Sequence, residues 1–516
     1  MESTSAAGRR AGQSAGTGRW LAATVMIVGA LMDMIDVTIV NVALPTIRRS
    51  LHASATQLEW VVSGYMLAFA AALIVAGSLG DRFGRKRVFL LGVAVFGVAS
   101  MGAGVSATGA ELIAARVVQG TAAACMAPQV LATFRVIFTT TKERGQAFAV
   151  YGAMLGFASA VGLLLGGALT EANLFGWSWR AVFFVNVPVA LIALIAGLRL
   201  VPETRDPAAR RPNYAGAVVL AGSMVAIVYP LLEGRQLGWP GWVWAVLSAG
   251  VTGVAGLAIA EERRPKPAAV GASRPAPLLR ARLFRAPAFS AGVGVQMAFS
   301  AGMQGFFLMF ALWLQIGERF SPLKAGLTAV AFSVGSFLGA PAAVPLAQKY
   351  GRRILVTGAA LMVAGIIGVG AAVGHVGIHG SPWPVVPGLV AAGAGLALLV
   401  IPLVNVVLAA APAEAAGSAS GLFSTAQQLG GAIGVAVLGT VFFGSVGSGH
   451  TFAEALRHTT PYAVGAFALC GVLSLLLPRT AVSEEALTGD EDPTAAPGRD
   501  SMITRVLRGP DPAKPA

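Results

Sequence analysis

The chain is dominated by long apolar runs that are separated by short polar segments. Each run approaches or exceeds the roughly 20 residues that an α-helix needs to cross the hydrocarbon core of a bilayer. Backbone groups in hydrocarbon must be hydrogen-bonded internally, so each run is predicted to be a helix. The pattern predicts fourteen membrane-spanning helices, at residues 20–43, 57–79, 88–107, 110–136, 144–170, 180–200, 214–232, 241–260, 287–314, 322–346, 353–374, 383–411, 420–445 and 461–478.

The basic residues of the loops support this count. An even number of spans puts both termini on one side, and we assign that side to the cytoplasm. Of the 37 Lys and Arg residues, 28 then fall in cytoplasmic segments and two fall within spans. The opposite loops carry the other seven, which are Arg48, Arg49, Arg180, Arg235, Arg319, Lys324 and Arg457. This bias follows the positive-inside rule, so we expect an all-α, multi-pass protein of the cell membrane with both termini cytoplasmic.

Three segments outside the spans have a different character. Residues 1–18 and 480–516 are polar and contain glycine or proline, so they are predicted to be disordered cytoplasmic ends. Residues 261–286 are basic and rich in proline, which predicts an extended cytoplasmic loop.

Composition excludes several classes of function. The chain is 56% hydrophobic and 12% charged, against about 25% charged in soluble domains. The net charge of +14 is explained by the cytoplasmic loops, so no nucleic-acid partner is expected. Cys125 and Cys470 lie in apolar runs without metal-ligand spacing, and we expect no metal site. We do not expect an enzyme. No nucleotide-binding loop is present in the sequence, so we do not expect ATP-driven pumping either.

Two acidic residues lie in the middle of the first predicted span. Asp33 and Asp36 are three residues apart, so they share one helix face. An ionised carboxylate at this depth costs about 2.5–3.5 kcal/mol on insertion scales. Two close carboxylates in a poorly hydrated site repel each other, so at least one is expected to hold a proton. A buried acid that binds and releases H⁺ suits a proton-coupled carrier; the alternative is a packing role with a hydrogen-bond partner.

The segment GSLGDRFGRKR at 77–87 joins the second and third spans. Its acid can accept hydrogen bonds from the N-terminus of a neighbouring helix, and a central glycine permits a tight turn. This loop closely resembles the cytoplasmic loop motif of the major facilitator superfamily. The resemblance implies a cytoplasmic gate loop, whose matching residues are Gly77, Asp81, Arg82, Gly84, Arg85 and Lys86.

Further segments resemble the fourteen-helix drug:proton antiporters of that superfamily. Arg116 and Gln119 in the fourth span match the charged arginine motif, and an arginine inside a span needs a carboxylate, a carbonyl group or a cavity. The run from Asp36 to Asn41 and Pro45 is similar to the first-span signature. Residues 179–188 resemble the start of span six. Gln427 and Gln428, before a group of glycines, resemble span thirteen.

Two departures from the family pattern weaken parts of this interpretation. Span five carries Gly162, Gly166 and Gly167, which allow close helix packing. Leu163 stands where the antiporters have a proline, so the sequence leaves the direction of transport open. In the second half of the chain, Gln348 occupies the position that corresponds to Asp81, so we do not expect that loop to act as an equally charged gate.

The resemblance implies a six-helix bundle at 20–200, two additional linking helices at 214–260 and a second six-helix bundle at 287–478. It implies export of small amphipathic molecules by proton antiport, with Asp36 and Asp33 as proton-coupling residues and Arg116 as a charged cavity residue. Asn41, Gln119, Gln427 and Gln428 are the candidate substrate-cavity residues. We expect a monomer that needs no cofactor besides the proton gradient. A proton symporter for uptake remains an alternative, as does a membrane sensor or channel.

Overall fold

The computed structural model describes residues 2–138, 140–205, 213–263, 281–410 and 416–477. Side chains are described from Gly18 onward, apart from some helix positions that lie mostly between 141 and 159. Most of the predicted loop at 261–286 and all of the predicted tail at 480–516 lie outside the described residues.

The described chain is helical. Its α-helices are α1 (Glu2–Leu51), α2 (Ala55–Phe83), α3 (Arg85–Val105), α4 (Gly109–Ile137), α5 (Thr141–Ala172), α6 (Ala181–Phe184), α7 (Asn186–Leu200), α8 (Tyr214–Leu237), α9 (Gly241–Arg263), α10 (Pro287–Leu312), α11 (Pro322–Tyr350), α12 (Arg353–Ala372), α13 (Val386–Ala409), α14 (Ala416–Gly447) and α15 (Phe452–Ser474).

All fourteen predicted spans fall on these helices, with α6 and α7 together forming the sixth span. In the described part of the chain, eleven helices are long and apolar enough to cross a membrane. A twelfth is added if the bent pair Ala55–Leu73 and Val75–Phe83 within α2 forms one span. The all-helical membrane architecture is therefore as predicted, while the count of fourteen spans stays a prediction.

The first helix is longer than the first predicted span. Its backbone is helical from Glu2, although the sequence predicts disorder over 1–18. No proline precedes Pro45 in this segment, so nothing in the backbone interrupts the helix before that residue. The part that qualifies as a membrane span is Gly18–Leu51.

The two halves of the chain pack their helices in the same order. In the first half, α1 contacts α5 and α7, α2 contacts α4, and α3 contacts α4 and α7. In the second half, α10 contacts α14 and α15, α11 contacts α13, and α12 contacts α13 and α15. Helices α8 and α9 pack against each other, and α8 also contacts α2 and α14. Repeats of this kind are typical of secondary transporters.

The halves meet mainly through two helix pairs, α2 with α14 and α5 with α11, and α1 also contacts α10 and α11. We call the side of the molecule where α1 ends the Leu51 end and the side where α2 ends the Phe83 end. Several described contacts between the halves lie toward the Leu51 end. There a methyl group at Gly167 of α5 would lie 2.7 Å from the Pro322 carbonyl oxygen of α11, and Gly326 of α11 lies against the carbonyl group of Leu163.

The glycines of span five allow close packing on two sides of α5. Gly162 lies against Thr38 of α1, and a methyl group at Gly166 would lie 2.8 Å from the Ile39 carbonyl oxygen of the same helix. Because these positions lack side chains, α5 packs closely on α1 within the first half, while Gly167 packs on α11 of the second half.

Candidate functional site

Close contact between α2 and α4 builds the polar centre of the first half. Gly120 of α4 lies directly against the backbone carbonyl group of Tyr65 in α2. One turn earlier, Arg116 is 2% exposed, and its guanidinium carbon lies 4.1 Å from the centre of the Tyr65 ring. Its Nε donates to the Val61 carbonyl oxygen at 3.1 Å. The arginine is therefore held against α2 by a hydrogen bond and by a cation–π contact.

Asp36 of α1 is fully buried and accepts hydrogen bonds from three side chains. Its Oδ2 pairs with Arg116. Its Oδ1 accepts from the Asn186 amide of α7 at 2.9 Å and from the Gln119 amide of α4 at 3.3 Å. Gln119 Nε2 also donates to the Ser100 hydroxyl of α3 at 2.7 Å. The carboxylate thus binds one cation and two neutral donors.

Asp33, one turn earlier on α1, has different partners. It is 7% exposed and accepts a hydrogen bond from the Tyr65 hydroxyl. No ion pair joins Asp33 to a basic side chain among the described residues. One polar cluster therefore contains Asp33, Asp36, Tyr65, Ser100, Arg116, Gln119 and Asn186. Tyr65 connects the two acids, since its hydroxyl binds Asp33 and its ring lies against Arg116, the partner of Asp36. The arrangement joins one acid that has a cationic partner to one acid that has a neutral partner.

The other predicted cavity residues are not joined to this cluster by a hydrogen bond in the described part of the chain. Asn41 is buried on α1, and its side-chain oxygen has no hydrogen-bond partner there. On α14, Gln427 is exposed and Gln428 is half-buried. Of the four predicted cavity residues, only Gln119 belongs to the cluster.

The predicted gate loop forms its contacts within the first half. Arg85 donates to the Asp81 carboxylate at 2.8 and 3.1 Å, and also to the Ala132 carbonyl oxygen of α4 at 3.3 Å. Lys86 Nζ donates to the Leu198 carbonyl oxygen of α7 at 2.8 Å. The Arg82 guanidinium lies over the ring of Phe83. The loop ties α2 and α3 to α4 and α7.

The turn at Gly84 requires glycine for two reasons. Its φ is +106°, a conformation that side chains rarely allow. A methyl group there would also lie 2.5 Å from a carboxylate oxygen of Glu203, which accepts from the Lys86 backbone N–H at 3.2 Å. Gly77 is different, because a methyl group there would meet nothing within 4 Å.

Sequence reasoning gave no role in the site to three members of the cluster, although Asn186 lies within the span-six motif at 179–188. Tyr65, Ser100 and Asn186 are all 3% exposed or less. Each is a polar residue inside an apolar run, and that signal could have singled them out. What the sequence could not provide was their pairing, because their partners lie on other helices and 19 to 150 residues away.

Comparisons with known proteins identify the family. The profile of the Major Facilitator Superfamily matches residues 26–213, 207–435 and 295–510. A probable actinorhodin transporter of Streptomyces coelicolor is 36% identical over 431 residues, which cover 83% of this chain and 73% of that protein. The tetracenomycin C resistance and export protein of Streptomyces glaucescens is 36% identical over 434 residues, which cover 83% of this chain and 77% of that protein. A puromycin resistance protein of Streptomyces alboniger is 33% identical over 502 residues, which cover 93% of this chain and 95% of that protein.

A solved structure of a bacterial homologue of the human drug peptide transporters shares the fold. Its TM-score is 0.62 at 16% identity, over 89% of this chain and 97% of that one. The apolar helices and the relatives together make the protein a multi-pass protein of the cell membrane. The chain belongs to the Major Facilitator Superfamily, within its family of drug:proton antiporters.

Proposed function

We propose that the protein exports amphipathic small molecules, antibiotics among them, in exchange for protons. The relatives that carry this proposal are named for export of or resistance to antibiotics, and they align over most of their own length. The proposal includes fourteen spans, cytoplasmic termini, a monomeric unit and no cofactor. The Phe83 end is then cytoplasmic and the Leu51 end faces outward, in keeping with the bias of basic residues in the loops.

The single observation that carries proton coupling is the unequal partnering of the two acids on α1. Asp36 is bound to Arg116, so its negative charge is already compensated. Asp33 is nearly as buried, and its described partner is the neutral hydroxyl of Tyr65. Burial without a cation favours the neutral form of a carboxyl group. We therefore assign the exchanged proton to Asp33, and we assign to Asp36 the task of holding Arg116 in place.

Alternating access supplies the rest of the proposed cycle. Contacts between the halves at Gly167 and Gly326 hold them together toward the Leu51 end, and the described hydrogen bonds of Asp81, Arg85 and Lys86 stay within the first half. Exposure of Gln427 in the N-terminal part of α14 agrees with a cavity that opens toward the cytoplasm. Uptake of a proton by Asp33 from the outer side removes a buried charge and favours return to this state.

Everted membrane vesicles with an imposed pH gradient provide the test. Antiport predicts that an amphipathic fluorescent dye accumulates when the vesicle lumen, which corresponds to the cell exterior, is acidic. Asp33→Asn should abolish this accumulation and leave downhill dye exchange measurable, because the neutral amide can no longer change its charge. Dye accumulation driven instead by an acidic medium would indicate symport. Unchanged accumulation in Asp33→Asn would refute the assignment of the proton to this residue.

A further inference from the structure

A large cavity opens at the Leu51 end, between the two halves of the chain. Its volume is about 1080 Å³, just above the usual range for small-molecule sites. One wall is the end of α1 with Arg48, Arg49 and His52. The opposite wall is the segment 315–324 that leads from α10 into α11, and His379 completes the lining. Since both halves contribute, the cavity lies where an exported molecule would leave.

The lining of this cavity is positively charged. Arg48, Arg49, Arg319 and Lys324 line it, and no acidic residue does. These are four of the seven basic residues that the sequence assigns to the outer side. None of the four forms an ion pair with a carboxylate in the described part of the chain.

Two carboxylates lie beside this cavity, but they neither line it nor form an ion pair with its cations in the described part of the chain. The buried Glu318 accepts a hydrogen bond from the Trp313 indole at 2.8 Å, and Glu171 accepts one from the Leu323 backbone N–H at 3.0 Å. Lys324 is fixed by the Gly380 carbonyl oxygen, which its Nζ meets at 2.6 Å. A concave wall with cations of one sign concentrates anions.

A second observation independently points to a ligand. Gln315 lies in a π-helical turn that continues α10, lines the cavity and is 5% exposed. Its amide nitrogen donates to the Val42 carbonyl oxygen of α1 at 2.7 Å. Its amide oxygen has no hydrogen-bond partner among the described residues. A buried acceptor without a partner is costly, and a small rotation of the Gln315 side chain toward the cavity would let a hydroxyl donor of a bound molecule satisfy it.

We propose that this cavity is an exit site for an acidic amphiphile, a molecule with a carboxylate or phenolate group and a hydroxyl donor. The anionic group lies among Arg49, Arg319 and Lys324, and the hydroxyl group donates to Gln315. This inference rests on the proposed export function and adds the charge class of the substrate. It also accounts for basic residues on the side of the membrane where few are expected.

Binding to the purified full-length protein tests the site directly. In nanodiscs of neutral phosphatidylcholine, carboxyfluorescein serves as the anionic probe and its anisotropy reports the dissociation constant. Arg49→Gln/Arg319→Gln should weaken binding by about tenfold or more, and the charge-preserving Arg49→Lys/Arg319→Lys should restore most of it. Arg457→Gln is the matched control, since this outer arginine is exposed and does not line the cavity. Absence of binding to the unmodified protein, or equal affinity in the double glutamine variant, overturns the proposal.

Transport separates this proposal from the export function. In everted vesicles, the double glutamine variant should lose carboxyfluorescein accumulation and keep accumulation of the cationic dye ethidium. Equal loss of both dyes in a correctly inserted variant would contradict an anion site. If neither dye accumulates in the unmodified protein although carboxyfluorescein binds, the export function fails and the site stands. Loss of binding on adding anionic phosphatidylglycerol, with no effect of the substitutions on dye transport, would reassign the cavity to lipid headgroups and overturn the proposal.

Discussion

Arg116 and Asp36 lie 80 residues apart in the sequence and form an ion pair in which neither side chain is more than 2% exposed. The pair connects α1 to α4, and Asn186 and Gln119 extend it to α7 and α3. Removing one partner of a buried pair leaves an uncompensated charge, whereas removing both does not. The stability of the first half therefore depends on keeping the two charges matched.

This dependence predicts a non-additive response to substitution. Asp36→Asn and Arg116→Gln should each destabilise the protein by about 3–5 kcal/mol. The double variant should be more stable than either single variant, because no unpaired charge remains. Thermal unfolding in detergent, followed by size-exclusion chromatography, measures the differences. Strictly additive losses would show that the two side chains do not act as a pair.

Tyr65 provides a narrower test of the cluster. Tyr65→Phe keeps the ring against Arg116 and removes only the hydroxyl that binds Asp33. A hydrogen bond to a charged group contributes about 1.5 kcal/mol or more, so proton-driven dye accumulation should fall by about tenfold while downhill efflux persists. Tyr462→Phe is the control, because Tyr462 is exposed on α15. Equal accumulation in the two variants would exclude a role for the hydroxyl.

The gate loop predicts a contrast between two of its glycines. Gly84→Ala should lower stability by about 1–3 kcal/mol, because alanine strains at a positive φ and its methyl group meets Glu203. Gly77→Ala should cost little, since the space around Gly77 is open. Thermal unfolding of the two variants side by side gives the comparison. A similar loss in both would mean that the turn at Gly84 is not the sensitive position.

The contact between α5 and α11 predicts a shift in the conformational equilibrium. Gly167→Ala should overpack the outer contact at a cost of about 1–3 kcal/mol and so raise the population that is open outward. A cysteine introduced by Ala329→Cys, at a buried position of α11 that packs with Leu163 of α5, reports this opening through its reaction with a membrane-impermeant maleimide once Cys125 and Cys470 are replaced by alanine. Gly444→Ala is the control, because no atom lies within 4 Å of that position. Faster labelling in the control than in Gly167→Ala would contradict the predicted shift.

The membrane architecture could be predicted from the sequence because its signal is local. Apolar runs of sufficient length must form helices, and every predicted span coincides with one. The spacing of Asp33 and Asp36 also placed them on one helix face. It could not show that one acid meets an arginine and the other a tyrosine, because these partners come from α4 and α2.

The cavity at the Leu51 end could not be predicted from the sequence for the same physical reason. Arg49 and Arg319 appear in the sequence as unrelated loop residues, and only the packing of α1 beside the α10–α11 connection brings them to one cavity. Gln427 and Gln428 show the opposite case, since their motif is recognisable but no hydrogen bond joins them to the acids in the described part of the chain. A shared motif indicates the helix on which a residue lies, whereas its partners depend on the assembled bundle.

The contact at Gly167 has a consequence for how this transporter can evolve. Its neighbours on α11 are backbone atoms of Pro322 and Leu323, which cannot rotate aside as a side chain would. A new side chain there must separate the two helices. Substitution of Gly167 is therefore destabilising whichever molecule the protein transports. Residues that only line a cavity face no such restriction. Selection by a new antibiotic can therefore change the residues that line a cavity while the contact between α5 and α11 stays the same.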